Sequence, residues 1–350
     1  MKNDCQTQTV PGTNDCQTQT VNETNHCQTQ TVTETNVKQR QSEPKRKDSM
    51  TQTFDNFDKI LSSQRANKKN SNLFRNFTGF TYNTFIALFK FFMLSSAISP
   101  KCMLKAEDQF FLCLVKLKLD INFDCLGFLF GVCRTTASNY FHSVINIIYF
   151  KSINIPICPS RENVNRCMPP SFYSNFPGLR TIIDCTEIFI DQPSSVIEQQ
   201  ATFSVYKNHN TLKALIGIAP SGAISFVSPL FTGSISDKEI TLQSGILDKL
   251  EQGDLVLADK GFGSLVGDFN SRGVKLVTPG YLLESQFTIF ERRHNQKVST
   301  IRVHVERAIG RIKIFKMFSS TLKYKSLQDI DHVFFVCCFL ANFMDPLINL

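Results

Sequence analysis

The sequence predicts an α/β protein: a mixed-sheet domain over residues 156–350, behind an all-helical region and a disordered N-terminal tail. Three observations carry that expectation. Strand-like apolar runs begin abruptly after a proline-rich joint at Pro156, Pro159, Pro169 and Pro170. Before the joint, apolar residues recur at helical spacing. The first 37 residues hold too little apolar side chain to offset the entropy of ordering the chain.

In the tail, residues 3–35 repeat an 11-residue unit as NDCQTQTVPGT, NDCQTQTVNET and NHCQTQTVTET, with an echo, MTQTFD, at Met50–Asp55. Each unit carries Thr-Gln-Thr, at Thr7–Thr9, Thr18–Thr20, Thr29–Thr31 and Thr51–Thr53. The triplet resembles the motif that docks as an added β-strand on the dimeric dynein light chain, and repeated copies would give a bivalent partner avidity. A low-complexity tail expanded by slippage is the plain alternative. Residues 38–76 form a basic linker. Within it Lys38–Lys47, KQRQSEPKRK, suits a nuclear-import signal, so the expected location is the nucleus. The formal charge is +8, but residues 38–75 alone carry +6 and the tail −3, leaving +5 for residues 76–350. Whole-chain charge is therefore weak evidence for a nucleic-acid partner.

Nothing in the composition points to a membrane: hydrophobic residues make up 42%, yet no run nears the ~18–20 apolar residues of a span. The twelve cysteines include no C-x-x-C pair, which favours reduced structural thiols over disulfides or zinc.

Residues 77–155 read as a helix-turn-helix domain. In Asn122–Ile148, Leu126 and Leu129 pack from a first helix, Gly131 supplies the turn, and Thr135 and Thr136 open a second helix with Ala137, Tyr140, Phe141, Val144 and Ile148 on one face. GVCRTTASNYF is similar to the turn and recognition helix of many DNA-binding modules, which would turn Arg134, Ser138 and Asn139 toward double-stranded DNA. Gly127 and Ala137 stand where Ala and Val are commoner, an expected loosening of the packing.

Beyond the joint, strands are expected at Leu179–Ile190, Thr211–Ala219 and Ile224–Thr232, the last two joined by a turn at Pro220-Ser221-Gly222. A helix at about 237–250, a strand at 254–259, a helix ending near Arg272, a strand at 275–278 and a long helix at about 299–318 complete the pattern. Three strands followed by alternating helix and strand is the order of a ribonuclease-H-like fold.

Three acids stand out. Asp184 lies inside an apolar strand, where a carboxylate is costly unless paired or holding a metal. Asp259 closes another strand, and Glu306 lies on the long helix. Converging carboxylates suit Mg²⁺ or Mn²⁺, and two such ions can drive in-line attack on a phosphodiester. Arg302 lies one turn before Glu306 and Lys313 two turns after, on nearly the same face, which would set two DNA-binding cations beside the metal site, where the scissile phosphate must lie. Lys207 and Lys213 flank an Asn-His-Asn turn and are candidate DNA contacts. His209 and His304 read as hydrogen-bonding residues, and Glu187 should face away from Asp184.

Asp184-Cys185-Thr186, Asp259-Lys260-Gly261-Phe262 and Arg302-x3-Glu306-x6-Lys313 resemble the signature blocks of PIF/Harbinger-like DDE transposases. YKNHNTLKALIGIAPSGAISFVS, LFTGSISDKEI and CCFLANF extend the resemblance over roughly residues 100–345. It implies a metal-dependent DNA endonuclease that cuts transposon ends and transfers strands, with Asp184, Asp259 and Glu306 as metal-holding acids. Asp237, in GSISDKE, is the rival second carboxylate. The resemblance also implies a homo-oligomer, and a Myb-like accessory protein as partner, since no zinc-coordinating domain precedes the helix-turn-helix. Two other readings stand beside it: a domesticated, non-catalytic DNA-binding scaffold that recruits dynein light chain, and a host nuclease acting on RNA–DNA hybrids.

Overall fold

The computed structural model describes residues 71–94, 103–280, 288–324 and 329–348. The Thr-Gln-Thr repeats and the basic run Lys38–Lys47 lie outside the described residues. No helix among those described is long and apolar enough to cross a membrane.

Five helices come first: α1 (Ser71–Thr78), α2 (Tyr82–Met93), α3 (Ala106–Leu119), α4 (Phe123–Phe130) and α5 (Arg134–Ser152). Every residue of α3 from Gln109 to Leu117 is buried, so it is the axis of the helical layer and has no solvent stripe. Phe74, Phe85 and Phe111 pack edge-to-face or stacked around it, with ring centroids 5.3–6.2 Å apart.

The helix-turn-helix forms as expected. Asn122 caps α4 by accepting the Cys125 N–H at 2.8 Å, and Gly131 takes a left-handed φ of 62° to turn the chain into α5. Ala137, Phe141, Val144 and Ile148 are buried. The expected loosening at Gly127 is corrected. A Cβ built there would lie 2.6 Å from the Val132 carbonyl oxygen, so the missing methyl lets the turn close tighter. Gly127→Ala should lower unfolding free energy by about 1–3 kcal/mol, read from a urea titration. An unchanged midpoint would mean that the turn moves freely.

After short helices α6 (Arg161–Arg166) and α7 (Pro170–Asn175), the sheet is built on β1 (Leu179–Phe189). On one side β1 pairs antiparallel with β3 (His209–Ile218). That strand carries β2 (Phe203–Ser204), β4 (Ile224–Val227) and β5 (Phe231–Thr232). On the other side β1 pairs parallel with β6 (Leu255–Leu257), which pairs parallel with β7 (Lys275–Val277). An antiparallel group beside a parallel pair, with β1 at the junction, is a ribonuclease-H-like sheet.

Several boundaries differ from expectation. The strand expected over Ile224–Thr232 is two short strands separated by Pro229, which has no N–H to donate. Helix α9 (Asp237–Gln243) ends before Gly245, whose φ of 79° breaks the helix, and a 3₁₀ turn follows at Ile246–Lys249. Helix α8 (Val196–Thr202), inserted between β1 and β2, was not anticipated. After α10 (Val266–Asn270) and β7, the long helix α11 (Ile289–Ile312) starts about ten residues earlier than expected and stops before Phe318. Thr288 and Glu291 start it with a capping box: the Thr288 N–H donates to Glu291 at 2.7 Å and the Glu291 N–H returns to Thr288 at 3.2 Å. Helix α12 (Ile330–Ala341) closes the chain, packing on α5, α11 and β4.

One apolar cluster runs from the helical layer through α11 and α12 onto Ile182 and Ile188 of β1. A second cluster, on the other face of the sheet, takes Ile183 and packs Cys185 against α9 and the turns around β6. Alternation along β1 therefore directs Asp184 to the α11 face and Cys185 away from it.

Candidate active site

Asp184 and Asp259 meet because of sheet register. In the parallel pair Ile182 lies opposite Leu257, so two residues further on Asp184 and Asp259 stand at neighbouring positions. Adjacent strands are about 4.8 Å apart. Asp259 then ends the strand by capping a 3₁₀ turn (Lys260–Leu265), its Oδ1 accepting the Lys260 N–H at 2.6 Å. Helix α11 packs across β1 and brings Arg302 and Glu306 to the same end.

Arg302 is the centre of the cluster. Its Nη1 lies 3.1 Å from Asp259 Oδ1 and its Nη2 3.9 Å from Glu306 Oε1, while its side chain is only 13% exposed. Its Nε is buried without an acceptor among the described residues. Asp184 accepts the Cys185 N–H at 2.9 Å. Burial pushes its carboxyl up to about 6, against the pull of Arg302 and of that N–H, and the charges of Asp259 and Glu306 push it further the same way. The three acids thus sense one another across a single guanidinium.

That upward shift has a stability consequence with a defined sign. Between pH 4 and 6 the folded state holds the Asp184 proton and the unfolded chain releases it, so stability falls as pH rises through this window. Asp184→Asn should flatten that slope and, at pH 7 without metal, add about 2 kcal/mol, the side chain keeping some solvent contact. Urea unfolding at pH 4 to 7 reads it, and an identical slope in the variant would sink the assignment.

As a donor set for Mg²⁺ or Mn²⁺ the three acids fit in chemistry: all are hard oxygens, and the strain on Asp184 is what a cation would relieve. Their present arrangement is not yet a chelate. Among the described residues no group of three or more His, Cys, Asp or Glu side chains is placed to hold a metal ion. The guanidinium spans Asp259 and Glu306 instead, so the expectation of ready-gathered oxygens is corrected.

The other expected residues fall into different settings. Arg134 is exposed, 3.4 Å from Asp124; Asn139 is exposed and Ser138 half-buried. Lys207 is exposed, its ammonium 4.5 Å over the Tyr206 ring. Lys313 is half-buried at the end of α11, held below the ordinary lysine range by burial and by the neighbouring Lys207 charge. Lys213, expected as a DNA contact, is buried and held by Asp237 at 2.7 Å, so it offers no free ammonium to a phosphate.

Asp237 lies on the face opposite Asp184, beside Cys185, whose thiol is forced well upward by burial and by that carboxylate. A Cβ on Gly261 would come within 2.9 Å of Asp237 Oδ2, so the Lys213–Asp237 pair backs the turn that follows Asp259. Sequence reasoning missed this pair, and no one-dimensional spacing signals it. Glu187 sits on the same far face as expected, accepting a 2.8 Å hydrogen bond from Thr211. His209 hydrogen-bonds the Asn210 carbonyl at 2.9 Å. His304, expected to do likewise, has a buried Nδ1 with no hydrogen-bond partner among the described residues and packs on Phe172, with ring centroids 5.3 Å apart.

Residues 183–342 match the family model described as DDE superfamily endonuclease, and residues 102–152 match that of the helix-turn-helix of DDE superfamily endonuclease. No curated protein and no solved structure matches the chain. Both matched segments coincide with parts built above: the helix-turn-helix with α3 to α5, the endonuclease segment with the sheet from Ile183 through α12.

Proposed function

We propose, from the premise that the chain carries a transposase-type endonuclease domain behind its own helix-turn-helix, a divalent-metal-dependent DNA endonuclease of the PIF/Harbinger-like kind. It cuts phosphodiester bonds at transposon ends and passes the freed 3′-hydroxyl to a target. The observation that carries this reading is the meeting of Asp184, Asp259 and Glu306, from two strands and a helix, around Arg302.

In this reading the three carboxylates would hold Mg²⁺ or Mn²⁺ in place of the Arg302 guanidinium that now spans Asp259 and Glu306. Bound there, such ions supply an activated attacking oxygen and charge stabilisation for the leaving one. Arg302, released, and Lys313 are placed to pair with the scissile phosphate. Lys207 lies beside Lys313 and extends the cationic surface. Arg134, Ser138 and Asn139 at the start of α5 contact duplex DNA, with Arg134 exchanging Asp124 for a phosphate. Work in the nucleus, on two DNA ends and as a homo-oligomer, belongs to the same proposal, as does a Myb-like accessory protein.

The test is incubation of the full chain with Mn²⁺ or Mg²⁺ and labelled duplexes bearing the element's termini, beside RNA–DNA hybrids and single strands. Metal-dependent nicking of the duplexes is expected. Cutting of hybrids alone would replace a transposase with a host nuclease, and stable binding without cutting would favour a non-catalytic DNA-binding protein.

A further inference from the structure

Helix α11 carries more charge than the candidate site uses. Its 24 residues hold six basic side chains against two acidic ones, and of these acids Glu291 is tied into the capping box while Glu306 faces Arg302. Its apolar stripe is narrow: Val298, Ile301, Val305, Ala308 and Ile312 are buried on one side. At 100° per residue, Arg292, Gln296, Ser299 and Arg307 project from the side opposite that stripe, with Arg293 beside them, whereas Lys297 falls at the margin of the stripe, at nearly the same angle as Ala308. Arg292, Arg293, Lys297 and Arg307 are all exposed, and among the described residues none of the four has an ion-pair partner.

The helix is also held firmly enough to present them. Asn295 accepts the Gly280 N–H at 2.8 Å, fixing the helix to the segment after β7, and His294 packs on Phe176. The cationic side is therefore rigid and continuous with the helix turn that carries Glu306. A rise of 1.5 Å per residue puts Arg292 about 21 Å along the axis from Glu306, which is about six base pairs of duplex at 3.4 Å each. Ser299 adds a hydroxyl between the cations, while the Thr300 hydroxyl already donates to the Gln296 carbonyl at 2.8 Å.

We infer that this exposed side of α11, through Arg292, Arg293 and Arg307, is a phosphate-binding track that holds the DNA flank extending about six base pairs from the reacting phosphodiester. The inference rests on the endonuclease reading for what lies at its Glu306 end. The ligand class is the polyanionic backbone, which a row of exposed cations attracts without regard to sequence.

The experiment compares the wild-type chain with the double variant Arg292→Gln, Arg293→Gln, two exposed positions away from the carboxylates, after matched thermal melting shows both folded. Binding of a 40-base-pair duplex is measured from 50 to 200 mM salt without added metal. Loss of two phosphate contacts should reduce the slope of log affinity against log salt by about 2, and weaken binding at 100 mM by about tenfold. Duplexes ending three base pairs from the cleavage position should bind both proteins alike. An unchanged slope in the variant overturns the track while leaving the endonuclease reading in place. A wild-type chain that binds no duplex of any length overturns both.

Discussion

Glu306→Gln is expected to abolish metal-dependent DNA cleavage, by about a thousandfold or more, while leaving duplex affinity within about twofold. A transition-state charge-stabilising group held by a metal is worth several kcal/mol, and each 1.36 kcal/mol is a factor of ten in rate. Glutamine keeps the length and the hydrogen-bonding reach of the side chain but removes the anion. The fold should hardly notice, because Glu306 is 58% exposed and its nearest cation, an Arg302 Nη2, is 3.9 Å away. Affinity, carried by arginines and lysines elsewhere, should be preserved. Single-turnover cleavage beside filter binding separates the two quantities. A variant that still cuts at a tenth of the wild-type rate would remove Glu306 from the reaction.

Arg302→Met should move two measurements in opposite directions. Without its guanidinium, Asp259 and Glu306 have no resting counter-ion, so Mn²⁺ meets less competition and binds about tenfold tighter, on the scale of one exposed ion pair plus partial burial. Cleavage should nonetheless fall by about a hundredfold, the usual consequence of removing one charge-stabilising donor. Methionine fills the half of the pocket occupied by the arginine stem, which limits loss of packing. Melting temperature with and without Mn²⁺ reads the first effect as a larger metal-induced rise in the variant, and strand nicking reads the second. A smaller metal-induced rise in the variant than in the wild-type chain would end the idea that the guanidinium guards the site.

The three acids were legible because each breaks a local rule. Asp184 is a carboxylate in an apolar strand, Asp259 ends a strand at the edge where open sheets place their sites, and Glu306 shares a helix face with two cations. Arg302 was read as a phosphate ligand, and spacing alone could not show that its fork turns back onto Asp259, because that contact depends on how α11 crosses β1. Lys213 was misjudged for the same reason. A strand lysine defaults to solvent, and only the docking of α9, 24 residues later, supplies the carboxylate that makes its burial tolerable. The start of α11 was missed because its first turns have a single apolar anchor, Val298. The Thr288 and Glu291 pair had the spacing of a capping box and was there to be read. The helix-turn-helix was read well because both of its signals, the turn glycine and the periodic apolar face of α5, are local.

Helix α12 joins the two halves more directly than any linker would. The His332 ring lies stacked on Tyr149 of α5, 3.8 Å between centroids, and its Nδ1 is 3.2 Å from Asn146 Oδ1. Ten residues on, Asn342 makes paired hydrogen bonds of 2.7 and 2.9 Å with the backbone of Ile224 on β4. Under the proposed function, this makes the offset between the bases recognised and the bond broken a constant of the fold, as in a caliper with its jaws locked. Transplanting a foreign recognition module onto this chain would then shift the cut by whole base pairs unless α12 were rebuilt with it.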